Sequence, residues 1–363
     1  MKGYRIAVVG VTGAVGQEML NMLAGRKFPV EDLYPFASAR SVGKTVSFNG
    51  AEHPVIELNA ANVDRYAPNI DAALFSAGAS VSREYAPLFA RHGVFVIDNS
   101  SAWRMDDACP LVVPEVNAHA LTADRKIIAN PNCSTIQMVV VLNPLHRAAG
   151  IRRIVVSTYQ SVSGAGGRAM LELREETGRV LQRLAALPSL ITDSNDSFTV
   201  AAAPGKVFPR QIAFNLIPQI DVFTENGYTK EEMKMVNETR KIMEIPGVRV
   251  SAQCVRAPVF RAHSESVWIE TERALSAGEA RRLLSHAENV VVVDDPENRD
   301  AAKRYPTPLD GSNRQVTFVG RIREDISCDN GLVMWIVSDN LLKGAALNAV
   351  QILEVLAHKE MLA

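Results

Sequence analysis

The sequence has few cysteines, almost no net charge and no long apolar run, and each absence narrows what the chain can be. Its four cysteines, Cys109, Cys133, Cys254 and Cys328, are scattered over 363 residues, with no CxxC and no His/Cys spacing suited to zinc. Neither a disulfide framework nor a metal site is expected, and the default reading of each thiol is a small buried hydrophobe. A formal net charge of −1 lacks the basic excess that a nucleic acid or an anionic membrane would attract. No apolar stretch approaches the roughly 20 residues that span a bilayer. The opening MKGYRIAVVGVTG runs straight into a glycine-punctuated strand without a leader-like cleavage region, so a cytoplasmic protein is expected. There is no internal repeat, heptad or low-complexity tract.

What is present is ordinary globular composition, 47% apolar and 22% charged, over a length that suggests two domains. The first 130 residues alternate apolar runs of strand length (YRIAVVGV, DLYPFAS, DAALFSAG, VFVIDNS, KIIAN) with helical patterns such as AVGQEMLNMLAG and SREYAPLFARHG. That alternation predicts βαβ units and a doubly wound parallel sheet. After Gly150 the strands lengthen and many alternate with period two: IRRIVVSTYQSV, AFNLIPQIDVF, VRVSAQCVRAPVF, HSESVWIETE. With helices over GGRAMLELREETGRVLQRLAAL and TKEEMKMVNETRKIME, they predict an α+β domain on a mostly antiparallel sheet. The tail from Met334 reads as one strand and one long helix, the helix packing back on the first domain. Residues 192–205 read as a mobile loop.

Gly10, Gly13 and Gly16 fall between the first strand and the first helix. There they permit a tight turn and let helix N-terminal amides approach a pyrophosphate. The spacing is GxxGxxG, so position carries the inference more than pattern, and a glycine turn serving only close packing is the competing reading. At the end of the second strand, an NAD site would show Asp or Glu toward the ribose 2′-hydroxyl. Here stand Ser38-Ala39-Arg40-Ser41, hydroxyls and a guanidinium that suit the 2′-phosphate of NADP.

In NPNCSTIQMVVVL, Cys133 sits at a strand-to-helix joint, where the helix N-terminus favours a thiolate and free amides can stabilise an oxyanion. Asn132 or Ser134 can cap that helix. A nucleophilic thiol beside a nicotinamide site suggests acyl transfer to sulfur coupled to hydride transfer. His263 begins an alternating strand, facing the same way as Glu265 and Val267. Alone, His263, Arg256 and Arg104 are uninformative. Thr229 and Glu232 form a capping box, which makes Glu231 and Lys234 read most simply as a solvated helix face.

The blocks GVTGAVG, FASARS, LFSAGAS, NPNCSTIQM, STYQSVSGAG, EEMKM, AHSESV, TFVGRIR and VSDNLLKGAA, in order from about residue 4 to about 355, resemble bacterial aspartate-β-semialdehyde dehydrogenases. Residues 184–206 match least clearly, and nothing is carried over there. The resemblance implies attack of a cysteine on L-4-aspartyl phosphate, loss of phosphate to give a thioester, and hydride delivery from NADPH to give L-aspartate 4-semialdehyde. That product stands at the branch toward lysine, methionine and threonine. By motif, Cys133 is the nucleophile, His263 the acid/base and Gln160 the glutamine beside the thiol. Arg256 matches the substrate carboxylate clamp, and Arg104 and Lys234 the phosphate-binding pair. Asn132 lies near the same oxygens, and Glu231 near the substrate amino group. Gly10, Thr12, Gly13, Ala14, Val15, Ser38, Arg40, Ser41, Ala77, Gly78, Ser163, Gly164 and Asn340 match cofactor contacts. The implied architecture is a Rossmann domain of residues 1–132 with 335–363, and a catalytic and dimerisation domain of 133–334. The implied assembly is a homodimer, with a tetramer as the alternative. Rival readings are another acyl-phosphate reductase, such as N-acetylglutamyl-phosphate reductase, a thiol hydrolase, or a non-catalytic NADP-binding regulator.

Overall fold

The computed structural model describes residues 2–185 and 205–362. Its first sheet is built from β1 (Tyr4–Val9), β2 (Val30–Ala37), β5 (Ile56–Glu57), β6 (Ala72–Phe75), β7 (Phe95–Asp98) and β8 (Ile127–Ala129). A hairpin, β3 (Thr45–Phe48) and β4 (Ala51–Pro54), interrupts the series on an Asn49-Gly50 turn with both residues at positive φ. Its strands are half polar, so apolar runs alone do not reveal it. Helices α1 (Ala14–Gly25), α2 (Ala60–Tyr66), α3 (Ala79–Arg91) and α4 (Pro114–Asn117) connect the strands.

The sheet order is β5-β2-β1-β6-β7-β8 and every pairing is parallel. Strands β6 and β7 are buried along their whole length, which is why they read as continuous apolar runs. The order reverses between β1 and β6, and a crevice opens at the carboxyl ends of such a pair. Gly10 leaves β1 there, and Ala77 and Gly78 follow β6.

The second sheet comprises β9 (Ile151–Gln160), β10 (Arg249–Arg256), β11 (His263–Thr271), β12 (Val290–Val292), β13 (Thr317–Glu324) and β14 (Gly331–Ser338), in the order β10-β9-β11-β14-β13-β12. Its three inner pairings are antiparallel and the two outer ones parallel, so the sheet is mixed around an antiparallel centre. Helices α5 (Cys133–Ala149), α6 (Gly167–Ala185), α7 (Lys230–Ile242), α8 (Ala277–Ser285) and α9 (Pro308–Gly311) accompany it. Ile136, Val139 and Val140 of α5 share one core with Ile154, Val156, Val267 and Met334 of the sheet.

All of β14 belongs to the second sheet, so the chain returns to the first sheet after Ser338 rather than at residue 335. It does so through a π-helical turn, Leu342–Ala346, and α10 (Leu347–His358). Leu347, Val350 and Leu353 then pack with Ile6, Met19 and Leu23, as expected of the tail helix. The expected strand over residues 213–223 is absent. Ile217 makes a single bridge with Arg256, Pro218 has no N–H to continue a ladder, and Phe214 and Asp221 take positive φ. The loop expected at 192–205 lies, apart from Gly205, outside the described residues. No helix among the described residues is long and apolar enough to cross a membrane.

Candidate active site

The joint before α5 is held on both sides. Asn130 donates to Asn99 Oδ1 and to the Ala345 carbonyl at 3.1 Å, and accepts from Asn348 Nδ2 at 2.6 Å. Asn132 has extended backbone angles and gives its backbone N–H to Glu238 Oε2 at 2.7 Å. The expected side-chain cap is not formed: Asn132 turns its amide to Glu231 Oε1 at 2.9 Å instead, and the Ser134 hydroxyl is buried without a partner. Cys133 therefore opens α5 with uncapped amides around it, its thiol 3.7 Å from Asn132 Oδ1. The π turn presses against it, since a Cβ on Gly344 would lie 2.7 Å from Cys133 Cβ.

A thiolate was expected at this helix end. The structure instead pushes the Cys133 thiol up to about 12, first through burial and then through the Glu231 carboxylate, against the opposing pull of Arg256, Arg104 and the Ser134 amide. Part of the residue's surface stays open, but the sulfur sits among buried groups, and the desolvation they impose dominates. Cys254 and Cys109 are buried thiols, as read from the sequence, while Cys328 is only half-buried.

Strand register lines up the partners. Arg256 pairs with Gln160, and the Ser264–Tyr159 pair places His263 beside Gln160, giving one row, Arg256, Gln160, His263, across three strands. All three are buried. A Cβ on the exposed Gly164 would lie 3.0 Å from Arg256 Nη1 and 3.4 Å from His263 Nε2, so only glycine leaves this mouth open. His263 Nδ1 accepts the Ser161 N–H at 3.0 Å, and Nε2 is buried without a partner. Burial, then Arg256, holds the ring well below its usual range, so it is neutral, with its proton on Nε2.

Helix α7 has the capping box read from its sequence, but its first turn is not a solvated face. Glu231 is buried and takes Gln160 Nε2 at 3.3 Å and Lys234 Nζ at 3.0 Å in addition to Asn132. Burial would raise its carboxyl, but Lys234, Asn132 and Arg256 together hold it low. Lys234 also reaches Asp221 at 3.1 Å. Arg104 donates to the Asn130 and Asn99 carbonyls and to Glu238 Oε1 at 3.0 Å, so much of its guanidinium is committed to holding the joint.

At the crevice of the first sheet, Gly10 has φ +84, and a Cβ there would meet the Ser76 carbonyl oxygen at 2.8 Å. A Cβ on Gly16 would collide with the Gly10 carbonyl oxygen. Gly13 precedes α1 without a side-chain cap, so the amides of Ala14 and Val15 are left for phosphate oxygens. Thr12 Oγ1 lies 3.4 Å from Ser41 Oγ, which brings the turn after β2 (Ser38, Arg40, Ser41) beside the glycine turn. Asn340 bonds Ser163 Oγ at 2.9 Å on the His263 side. These residues fit a dinucleotide. Among the described residues, no group of His, Cys, Asp or Glu could hold a metal.

Two family models cover most of the chain: the semialdehyde dehydrogenase NAD binding domain over residues 5–123, and the semialdehyde dehydrogenase dimerisation domain over 142–343. The aspartate-semialdehyde dehydrogenase of Aquifex aeolicus is 51% identical over 99% of this chain and 100% of that one. That of Bacillus subtilis is 48% identical over 98% of both. The chain belongs to the aspartate-semialdehyde dehydrogenase family. Among solved structures, aspartate semialdehyde dehydrogenase II of Vibrio cholerae complexed with ASA matches with a TM-score of 0.86, at 44% identity over 99% of each chain. Membership makes the chain an aspartate-semialdehyde-dehydrogenase-type oxidoreductase with a nicotinamide-binding domain. The family name tells against the hydrolase and the silent regulator. Two residues that the sequence reading did not single out hold this cluster in place. Glu238 ties Arg104 to Asn132, and its helical spacing from Glu231 and Lys234 is a signal that could have found it. Ser161, next to Gln160, orients His263; it lies in the block STYQSVSGAG, but nothing in the sequence pairs it with His263.

Proposed function

We propose that the chain reduces L-4-aspartyl phosphate to L-aspartate 4-semialdehyde with NADPH, reversibly, through a thioester on Cys133, in the route to lysine, methionine and threonine. The observation that carries this reading is the convergence of Cys133, Gln160, Arg256, His263 and Glu231 on one buried cluster at the start of α5. Arg256 has the planar fork for the α-carboxylate and Glu231 the charge for the α-ammonium. Lys234 and Arg104 offer cationic charge to the phosphate. An ammonium beside Glu231 offsets the carboxylate that raises the thiol, while the α-carboxylate engages Arg256, whose charge lowers it.

Sulfur adds to the acyl carbon, the bond to phosphate breaks, and the thiol proton leaves with the phosphate. Gly10, Thr12, Gly13, Ala14, Val15, Ala77 and Gly78 would hold the dinucleotide on one side, and Ser163, Gly164 and Asn340 on the other. The bound cofactor supplies the hydride that reduces the thioester. As the C–S bond breaks, the Nε2–H of the neutral His263 ring donates a hydrogen bond to the departing sulfur, which takes its proton from solvent. Residues 1–132 with the C-terminal helix form the cofactor domain in this reading, and the remainder the catalytic domain, through which two copies pair. The test is phosphate-dependent formation of reduced NADP from aspartate semialdehyde; activity on N-acetylglutamate semialdehyde instead would transfer the assignment to its rival.

The preference for NADP rests on Arg40 and the lack of an acidic residue at the β2 turn. Arg40 is exposed, so its pairing with a 2′-phosphate is screened, and about 1.5 kcal/mol, or roughly tenfold in affinity, is expected. Arg40→Ala should weaken NADP by that factor in a fluorescence titration and leave NAD unchanged. Equal losses for both cofactors would make Arg40 merely structural.

A further inference from the structure

Two residues along β11 from His263, on the same face, Glu265 is wholly buried and neither of its carboxyl oxygens has a hydrogen-bond partner. Register sets Thr158 of β9 on one side of it and Ile336 of β14 on the other, with Cys254 of β10 one strand further. From α5, Gln137 bears on the carboxyl, and it too is buried with neither amide atom hydrogen-bonded. Gln137 follows Cys133 by four residues, one helical turn behind it on the same side of α5. The Gln137/Glu265 pair thus lies one layer beneath Cys133/His263, about 6 Å deeper along both the helix and the strand.

The titratable groups around Glu265 are the Cys254 thiol two strands away and, one layer up, Cys133 and the neutral His263. No cation supports its charge. An interior carboxylate with no cation beside it is unfavourable, and burial pushes this carboxyl well above its usual range, opposed only by the Gln137 amide. A neutral carboxylic acid has one donor and one acceptor, and a primary amide answers both.

We infer that Glu265 is held as the neutral acid and is a positioning residue, locking the first turn of α5 to β11 through Gln137 and so setting the Cys133 thiol against His263. The inference rests on the proposed roles of Cys133 and His263. Nothing in the thioester chemistry itself consumes this carboxyl.

The decisive comparison is Glu265→Gln against Glu265→Leu, measured as kcat, KM, stability and infrared spectrum. Glu265→Gln keeps a neutral planar partner for Gln137 and should retain kcat within about threefold. Because an acid with a raised folded-state pKa loses stability as pH climbs above the ordinary carboxylate range, the variant's stability gain over wild type should grow from acid toward alkaline pH. Glu265→Leu orphans Gln137 and should lower kcat about ten- to hundredfold with KM for semialdehyde and NADP nearly unchanged. Wild-type kcat in Glu265→Leu, or an equally large loss in Glu265→Gln, would overturn the inference. Should the leucine variant not fold, the infrared difference between wild type and Glu265→Gln decides: a neutral-carboxyl C=O band supports the proposal, and its absence overturns it. The spectroscopic and stability readings do not depend on which residues perform the chemistry. A failure of the thioester reading would appear separately, as turnover in a protein lacking the Cys133 thiol.

Discussion

Cys133→Ser is expected to yield a folded protein that binds NADPH and has lost turnover by about a thousandfold or more, some 4 kcal/mol of transition-state stabilisation. Serine keeps the size of the side chain and its place at the start of α5. It replaces a sulfur that can ionise and depart with an oxygen that does both far less readily. The resting thiol is pushed up to about 12 by burial and by Glu231, and an alcohol in the same surroundings has much further to go. The same shift predicts that iodoacetamide modifies Cys133 slowly at neutral pH in the protein without substrate, and faster as pH rises. Turnover of Cys133→Ser above about a tenth of wild type would remove Cys133 from the nucleophile's role.

Glu231→Gln should produce the second largest effect, and with two opposite signs. Glu231 is buried and joined to Asn132, Gln160 and Lys234, so its charge is little screened. A charge-assisted contact to the α-ammonium in such a place contributes about 2–3 kcal/mol, which raises KM for aspartate semialdehyde roughly thirty- to a hundred-and-fiftyfold. Removing the carboxylate also removes the strongest charge that raises the thiol, so Cys133 in this variant should be alkylated faster at a given pH. Lys234 keeps Asp221 as a partner, and the phosphate KM should change much less. An unchanged semialdehyde KM would exclude contact with the substrate nitrogen. An unchanged alkylation rate would mean that Glu231 does not govern the thiol.

Periodicity and glycine position were enough to read five of the six strands of the first sheet, the helices α1, α3, α5, α6 and α7, and the return of the C-terminal helix, because each is a local pattern of apolar residues and turn formers; the two-residue β5 is too short to show one. The resemblance supplied the residues of the site. Composition and spacing did not, since Arg256, His263 and Arg104 lie far apart in the chain and each is unremarkable alone. Local pattern failed where distant contacts decide. Residues 213–223 have an alternating appearance and no strand. The first turn of α7 has a polar sequence and is buried against the NPNC joint.

By itself the sequence determined that this is a doubly wound nucleotide-binding fold with a reactive-looking cysteine at a strand-to-helix joint, because backbone geometry and hydrophobic period are local properties. Only the tertiary structure decided what surrounds that cysteine. Folding brings Glu231 from α7, Arg256 from β10 and the π turn around Gly344 against one sulfur, and removes water from it. A pKa depends on the dielectric and on charges within a few ångströms, whatever their separation along the chain. The helix end that reads as a thiolate site therefore holds a protonated thiol.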